Sequence, residues 1–185
     1  MDHPDSADFV FETARLRLRQ WTDADREPFA ALNADPAVME FFPALASREA
    51  SDAMIDANMA RIAEGGFANW AVERQDTREF IGFVGLSVPR RALPFMPCVE
   101  IGWRLAAAHW GRGFASEAAR AALAMGFDRF GLDEIVSFTA LENRRSRAVM
   151  ERIGMHDAQE DFEHPAMPEG HWLRPHCLYR IRRPA

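Results

Sequence analysis

Hydrophobic and polar positions along the chain change their period several times, and each change marks an element. Leu16 and Leu18 alternate with Arg15, Arg17 and Arg19, which predicts a first strand over residues 15–21. Thr22 is placed to start a helix, with Asp23, Asp25 and Glu27 in its first turn, and Asp35-Pro36 stops it. Ser47 opens a second helix that runs to Gly65-Gly66, with Met54, Ile55, Met59 and Ile62 as its apolar stripe. Between these helices lies an aromatic loop, Phe41-Phe42-Pro43. Residues 67–73 and 80–88 read as two strands joined by a polar turn at Gln75-Asp76-Thr77, a hairpin.

The clearest change of period lies between residues 98 and 130. Val99, Ile101, Trp103 and Leu105 alternate with Glu100, Gly102 and Arg104, the pattern of a half-buried strand. Gly111 and Gly113 then break the chain, and a helical period starts at Phe114. Ala115, Ala118, Ala119, Ala122 and Gly126 fall on one face, narrow enough to lie close against a sheet. Ser116, Glu117, Arg120 and Asp128 are expected to face elsewhere. A strand over residues 135–140 follows, then a short helix capped by Asn143 and stopped by Gly154. Residues 156–183 read as two strands around a long loop holding His164, Pro165, Pro168, Gly170 and His171.

Strand and helix alternation mixed with a hairpin predicts an α/β sandwich on a mixed sheet, without the regular alternation of a doubly wound fold. The 185 residues are read as one domain over 1–185, with residues 1–12 a loosely held arm. A net charge of −6 argues against generic nucleic-acid binding, which calls for a basic footprint. No apolar run is long enough for a membrane span, and the acidic N-terminus does not read as a signal peptide, so no membrane partner is expected. Two cysteines, Cys98 and Cys177, fit a reducing cytoplasm, the expected location. Histidines 156, 164, 171 and 176 match no closed zinc spacing, and no metal is expected.

The candidate chemistry sits where the central strand meets the central helix. The first backbone N–H groups of a helix lack partners and carry partial positive charge. Glycines just before that end let the backbone wrap an anion, so Trp110-Gly111-Arg112-Gly113-Phe114-Ala115 reads either as a phosphate cradle or as a tight turn. The stretch resembles the acetyl-CoA-binding core of the GNAT superfamily of N-acetyltransferases, in particular its Rim-type, ribosomal-protein N-terminal acetyltransferase-like branch. The family's pyrophosphate loop reads Gln/Arg-x-x-Gly-x-Gly/Ala; Gly113 and Ala115 match it, and Trp110 replaces the leading polar residue. Glu100-Ile101-Gly102-Trp103 resembles the branch's strand motif, and Ser116-Glu117-Ala118 its helix start. The resemblance runs from Thr13 to the C-terminus and is most specific over residues 98–155. It implies a single GNAT-like domain, with a mostly antiparallel sheet of about six to seven strands, about four helices and diverging central strands.

The resemblance also implies roles. Gly111, Arg112, Gly113, Phe114, Ala115 and Ser116 would cradle the pyrophosphate, and the backbone of Ile101, Gly102 and Trp103 would pair with the pantetheine arm. Asn143 would bond that arm, or serve as a helix cap, or both. Glu100 is the candidate base, with a structural ion pair to Arg104 as its rival reading. The family tyrosine that protonates the leaving thiolate is replaced by Met150, which leaves Ser146 as the candidate acid or as an ordinary first-turn residue. Arg144, Arg145 and Arg147 either meet the nucleotide's 3′-phosphate or form a solvated basic face. Phe41, Phe42 and either His164 or His171 are candidate acceptor contacts or packing residues. The implied activity is acetyl transfer from acetyl-CoA to a primary amine, on a small molecule or a protein N-terminus, by a monomer or homodimer. An acyl-CoA-binding regulator without turnover is the alternative.

Overall fold

A computed structural model describes residues 10–184. In chain order the elements are β1 (Phe11–Glu12), β2 (Leu16–Arg19), α1 (Arg26–Ala34), α2 (Arg48–Ala63), β3 (Asn69–Arg74), β4 (Phe80–Ser87), β5 (Glu100–Leu105), α3 (Phe114–Asp128), β6 (Glu134–Ala140), α4 (Arg144–Arg152), β7 (His156–Asp157), β8 (Phe162–Glu163) and β9 (Pro175–Arg182). They form one sheet in the order β1-β2-β3-β4-β5-β6-β9-β7, with β8 also on β9. Every pairing is antiparallel except β5 with β6.

The six longer strands are those that the alternation predicts. The C-terminal region departs from expectation: three strands stand where two are read, because β7 and β8 are two residues each and too short to show a period. The expected arm over residues 1–12 lies outside the described residues as far as residue 9, while Phe11–Glu12 pairs with β2.

Helices cover both faces of the sheet, and side-chain parity along β4 shows which. Phe83 meets Phe29 of α1 with ring centroids 5.9 Å apart. Leu86, an odd number of residues on, faces α3 instead: a Cβ placed on Gly126 would come within 3.1 Å of Leu86 Cδ1 and 2.6 Å of Ile135 Cδ1. Ala118, Ala119 and Ala122 of α3 are fully buried, so the small-residue face does bring that helix close to the sheet. Ser116 does not face away as expected. It is buried, because the first turn of α3 abuts a cavity wall as well as the sheet.

The same parity orders β5. Glu100 pairs in register with Ser87 and Arg104 with Phe83, so Glu100, Gly102 and Arg104 share the α1 face, and Ile101 and Leu105 turn toward α3. Closeness to the start of β3 matters at Gly85, which pairs with Asn69: an added Cβ would overlap the Ala68 carbonyl and the Asn69 Cα, both backbone. Gly85→Ala is therefore expected to lower unfolding free energy by at least about 2 kcal/mol, since backbone cannot rotate aside as a side chain can. Urea denaturation checks it; an unchanged midpoint would contradict the packing described.

Candidate active site

Strands β5 and β6 touch through one register pair, Glu100 with Val136. Next to it the Val136 amide donates to the Val99 carbonyl at 2.9 Å, and the buried Ser137 hydroxyl donates to the Ile101 carbonyl at 3.0 Å. Beyond this pin the two strands pair no further. A cavity of about 1080 Å³ occupies the opening, lined by residues from both faces of β5, so it runs through the sheet.

One end of the cavity is the start of α3. Gly111 and Gly113 hold φ of +71° and +80°, conformations that glycine adopts without steric cost. The turn is braced from outside. Arg15 donates to the Arg112 carbonyl at 3.0 Å and to Glu117 at 2.6 Å, and the Thr13 hydroxyl donates to Glu117 at 2.6 Å. Burial alone would raise the Glu117 carboxyl, but the bonds from Thr13 and Arg15 outweigh it and hold the group below its usual range. The helix end itself has no side-chain cap. In contrast, Ser47 Oγ caps α2 through the Ala50 amide at 3.1 Å, and Asn143 Oδ1 caps α4 through the Ser146 amide at 3.2 Å. Gly111, Gly113, Phe114, Ala115 and Ser116 all line the cavity, so this uncapped positive end opens into it. The Arg112 side chain does not; it lies over the Phe114 ring at 5.1 Å.

Asn143 and Ser146 form the adjoining wall. The Asn143 amide donates to Thr139 Oγ1 at 2.9 Å and to Ser146 Oγ at 3.2 Å, so the cap reading holds and Ser146 is oriented by it. Arg144 and Arg145 stand at the cavity rim. Arg145 pairs with Glu40 and covers the Trp110 ring at 4.5 Å. Arg147 turns away, donating to the Leu141 carbonyl at 3.2 Å. Met150 is buried in the cavity wall. Tyr179, the chain's one tyrosine, is buried outside the lining, its hydroxyl donating to Glu151 at 3.1 Å.

On the α1 face, Glu100 is in the lining and accepts a hydrogen bond from the Ser87 hydroxyl at 2.8 Å. Burial raises its carboxyl above the usual glutamate range, and the Ser87 bond offsets part of that. The rival ion pair with Arg104 is not formed. Arg104 bonds Asn33 Oδ1 at 2.6 Å and lies over the Phe42 ring at 4.1 Å. Phe41 and Phe42 both border the cavity. Of the two histidines read as acceptor contacts, His164 lines it and His171 does not; His176, read from the sequence only against a zinc site, has its ring tilted 4.7 Å from that of His164 and lines it too. Burial pulls His176 down to about 4, so it is neutral at neutral pH. Among the described residues no group of three or more His, Cys, Asp or Glu gathers to hold a metal ion.

Ser87, Asn33 and Ser137 escaped the sequence reading. Each acts through strand register or a helix crossing, and an isolated serine or asparagine carries no local signal of either.

Known proteins resemble this chain in sequence and in fold. The profile described as Acetyltransferase (GNAT) domain matches residues 15–156. The Bacillus subtilis protein named uncharacterized N-acetyltransferase YoaA is 32% identical over 151 residues, 78% of this chain and 81% of that protein. The crystal structure of the GNAT-family acetyltransferase from Bacillus anthracis superimposes with a TM-score of 0.77 at 26% identity, covering 94% of this chain and 98% of the other. RimL, the ribosomal L7/L12 alpha-N-protein acetyltransferase, solved in complex with coenzyme A, shares the fold with a TM-score of 0.75 at 16% identity, covering 94% and 97%.

Asn143→Ala removes the cap of α4 and is expected to lower stability by about 1 kcal/mol. Chemical denaturation checks this; an unchanged midpoint would mean that the cap contributes nothing.

Proposed function

This chain belongs to the GNAT family of acetyltransferases, and on that premise we propose that it moves the acetyl group of acetyl-CoA directly onto a primary amine within a ternary complex. The observation that carries this reading is one cavity joining an uncapped helix N-terminus to a half-buried, ionisable carboxyl. The donor is bound in an extended pose. The amides of Phe114, Ala115 and Ser116, with Gly111 and Gly113 allowing close approach, hold the diphosphate. Arg112 adds positive charge from outside the cavity. The free edge of β5 at Gly102 and Trp103 receives the pantetheine arm.

Glu100 takes the amine's proton, directly or through water. The neutral amine nitrogen then attacks the thioester carbon, the C–N bond forms and the C–S bond breaks, and the second proton that the nitrogen sheds ends on the departing thiolate sulfur. Ser146, a hydroxyl in the cavity lining, is assigned to that last step. Tyr179 is committed to Glu151 and takes no part. The acceptor is a small-molecule amine or a protein N-terminus, the latter in keeping with the Rim-type motifs at 100–103 and 116–118. Met150 stands where the family acid is expected, which supports a second reading, a protein that binds acyl-CoA without turnover.

Calorimetric titration should show saturable binding of acetyl-CoA. Gly113→Asp, which adds charge and bulk at the helix start, should abolish it while circular dichroism is unchanged; retained affinity would refute the cradle. Binding without transfer to any member of a broad amine panel would favour the regulator.

Only ionised Glu100 accepts a proton, so kcat/KM should rise with pH through a midpoint above the ordinary glutamate value. Glu100→Gln should lower kcat by about 10²-fold and remove that limb. Ser87→Ala withdraws a bond that favours the ionised form, so the limb should move to higher pH. A profile indifferent to both substitutions would exclude Glu100 as the base.

A further inference from the structure

Arg104 lies in the cavity wall with no carboxylate bonded to it. Elsewhere the chain neutralises its inward arginines: Arg19 binds Asp25 and Glu73, and Arg180 binds Glu134 and Glu160. Arg104 has only the neutral Asn33 and the faces of Phe42 and Phe83, at 4.1 and 5.5 Å. Its Nε is buried and has no hydrogen-bond partner. Burial pulls its pKa down to about 10, which still leaves it charged at neutral pH.

The holder of this cation is rigid. Asn33 is fully buried, its amide donates to the Ser51 hydroxyl at 3.0 Å, and that hydroxyl donates on to the Ser47 carbonyl at 2.9 Å. A chain of neutral groups therefore fixes the guanidinium while leaving its charge uncompensated. An uncompensated, desolvated cation is costly, and a bound anion relieves that cost. The planar guanidinium fork suits a carboxylate.

Glu100 lies on the same face of β5, four residues away, or about 13 Å along the strand. Gly102 between them contributes no side chain, so the floor of the cavity is open from one charge to the other. From this pairing we infer that the acceptor is a primary amine carrying a carboxylate several bonds from its nitrogen, with the carboxylate on Arg104 and the amine at Glu100. The amine end rests on the proposed acetyl transfer; the carboxylate end rests on Arg104 alone.

Matched acid and amide probes test it: ε-aminocaproate with its amide, and glycylphenylalanine with its amide. Binding is measured by calorimetry on the full chain with and without coenzyme A, and kcat/KM is measured with acetyl-CoA. The acid of each pair should bind at least about tenfold more tightly than its amide. Arg104→Gln should erase the difference, and Arg104→Lys should restore part of it. Asn33→Asp, which supplies an internal counter-charge, should weaken the acids and spare the amides. Equal affinity of acid and amide for the unaltered chain, or no binding of either acid at millimolar concentration, overturns the inference without recourse to any variant. An acid preference that survives Arg104→Gln also overturns it. Acid preference without acetyl transfer counts against the proposed chemistry alone, and transfer to acids and amides alike counts against Arg104 alone.

Discussion

Everything in this fold that bears on chemistry depends on two parallel strands that stop pairing. Had β5 and β6 continued their ladder past Glu100 and Val136, the sheet would be closed and the cavity absent. Backbone groups along a parted edge must be satisfied by something other than the neighbouring strand. Ser137 meets that demand once, at the Ile101 carbonyl, and thereby marks where the opening starts. Past it, the edge of β5 is free for a ligand that can pair as a strand does. The connection between the parted strands is α3, whose positive end arrives at the mouth of the same opening.

Charge inside the opening is arranged by desolvation. A carboxyl raised by burial, a guanidinium lowered by burial and a histidine held neutral share one wall system. Groups at the surface behave differently: Arg26, with Asp23 and Asp56 as partners, is held more firmly charged than usual. The contrast separates residues that stabilise the fold through pairing from residues kept partly unpaired, which is the condition that catalytic and binding groups require.

Much of the fold was legible because its long elements have strong periods. The alternation over residues 99–105 and the alanine face of α3 located both the strand and the helix that carry the candidate site. The β1, β7 and β8 strands were not legible, since two residues cannot display an alternation. Ser116 was misplaced because a helical wheel assumes that the polar side meets solvent, whereas here it meets a cavity. The rival pairing of Glu100 with Arg104 failed for a reason of length: residues four apart on a strand share a face but stand about 13 Å apart, beyond easy reach of each other. The partners they took, Ser87 and Asn33, come from register and from a helix crossing the sheet, neither of which is written locally.

Crystallising the protein with coenzyme A tests the central claim most directly. The expected result is a diphosphate on the amides of residues 114–116, with the pantetheine arm along β5 at Gly102 and Trp103, past the pin at Ser137. A nucleotide lodged elsewhere, or an opening between β5 and β6 filled by the protein's own side chains, would contradict it.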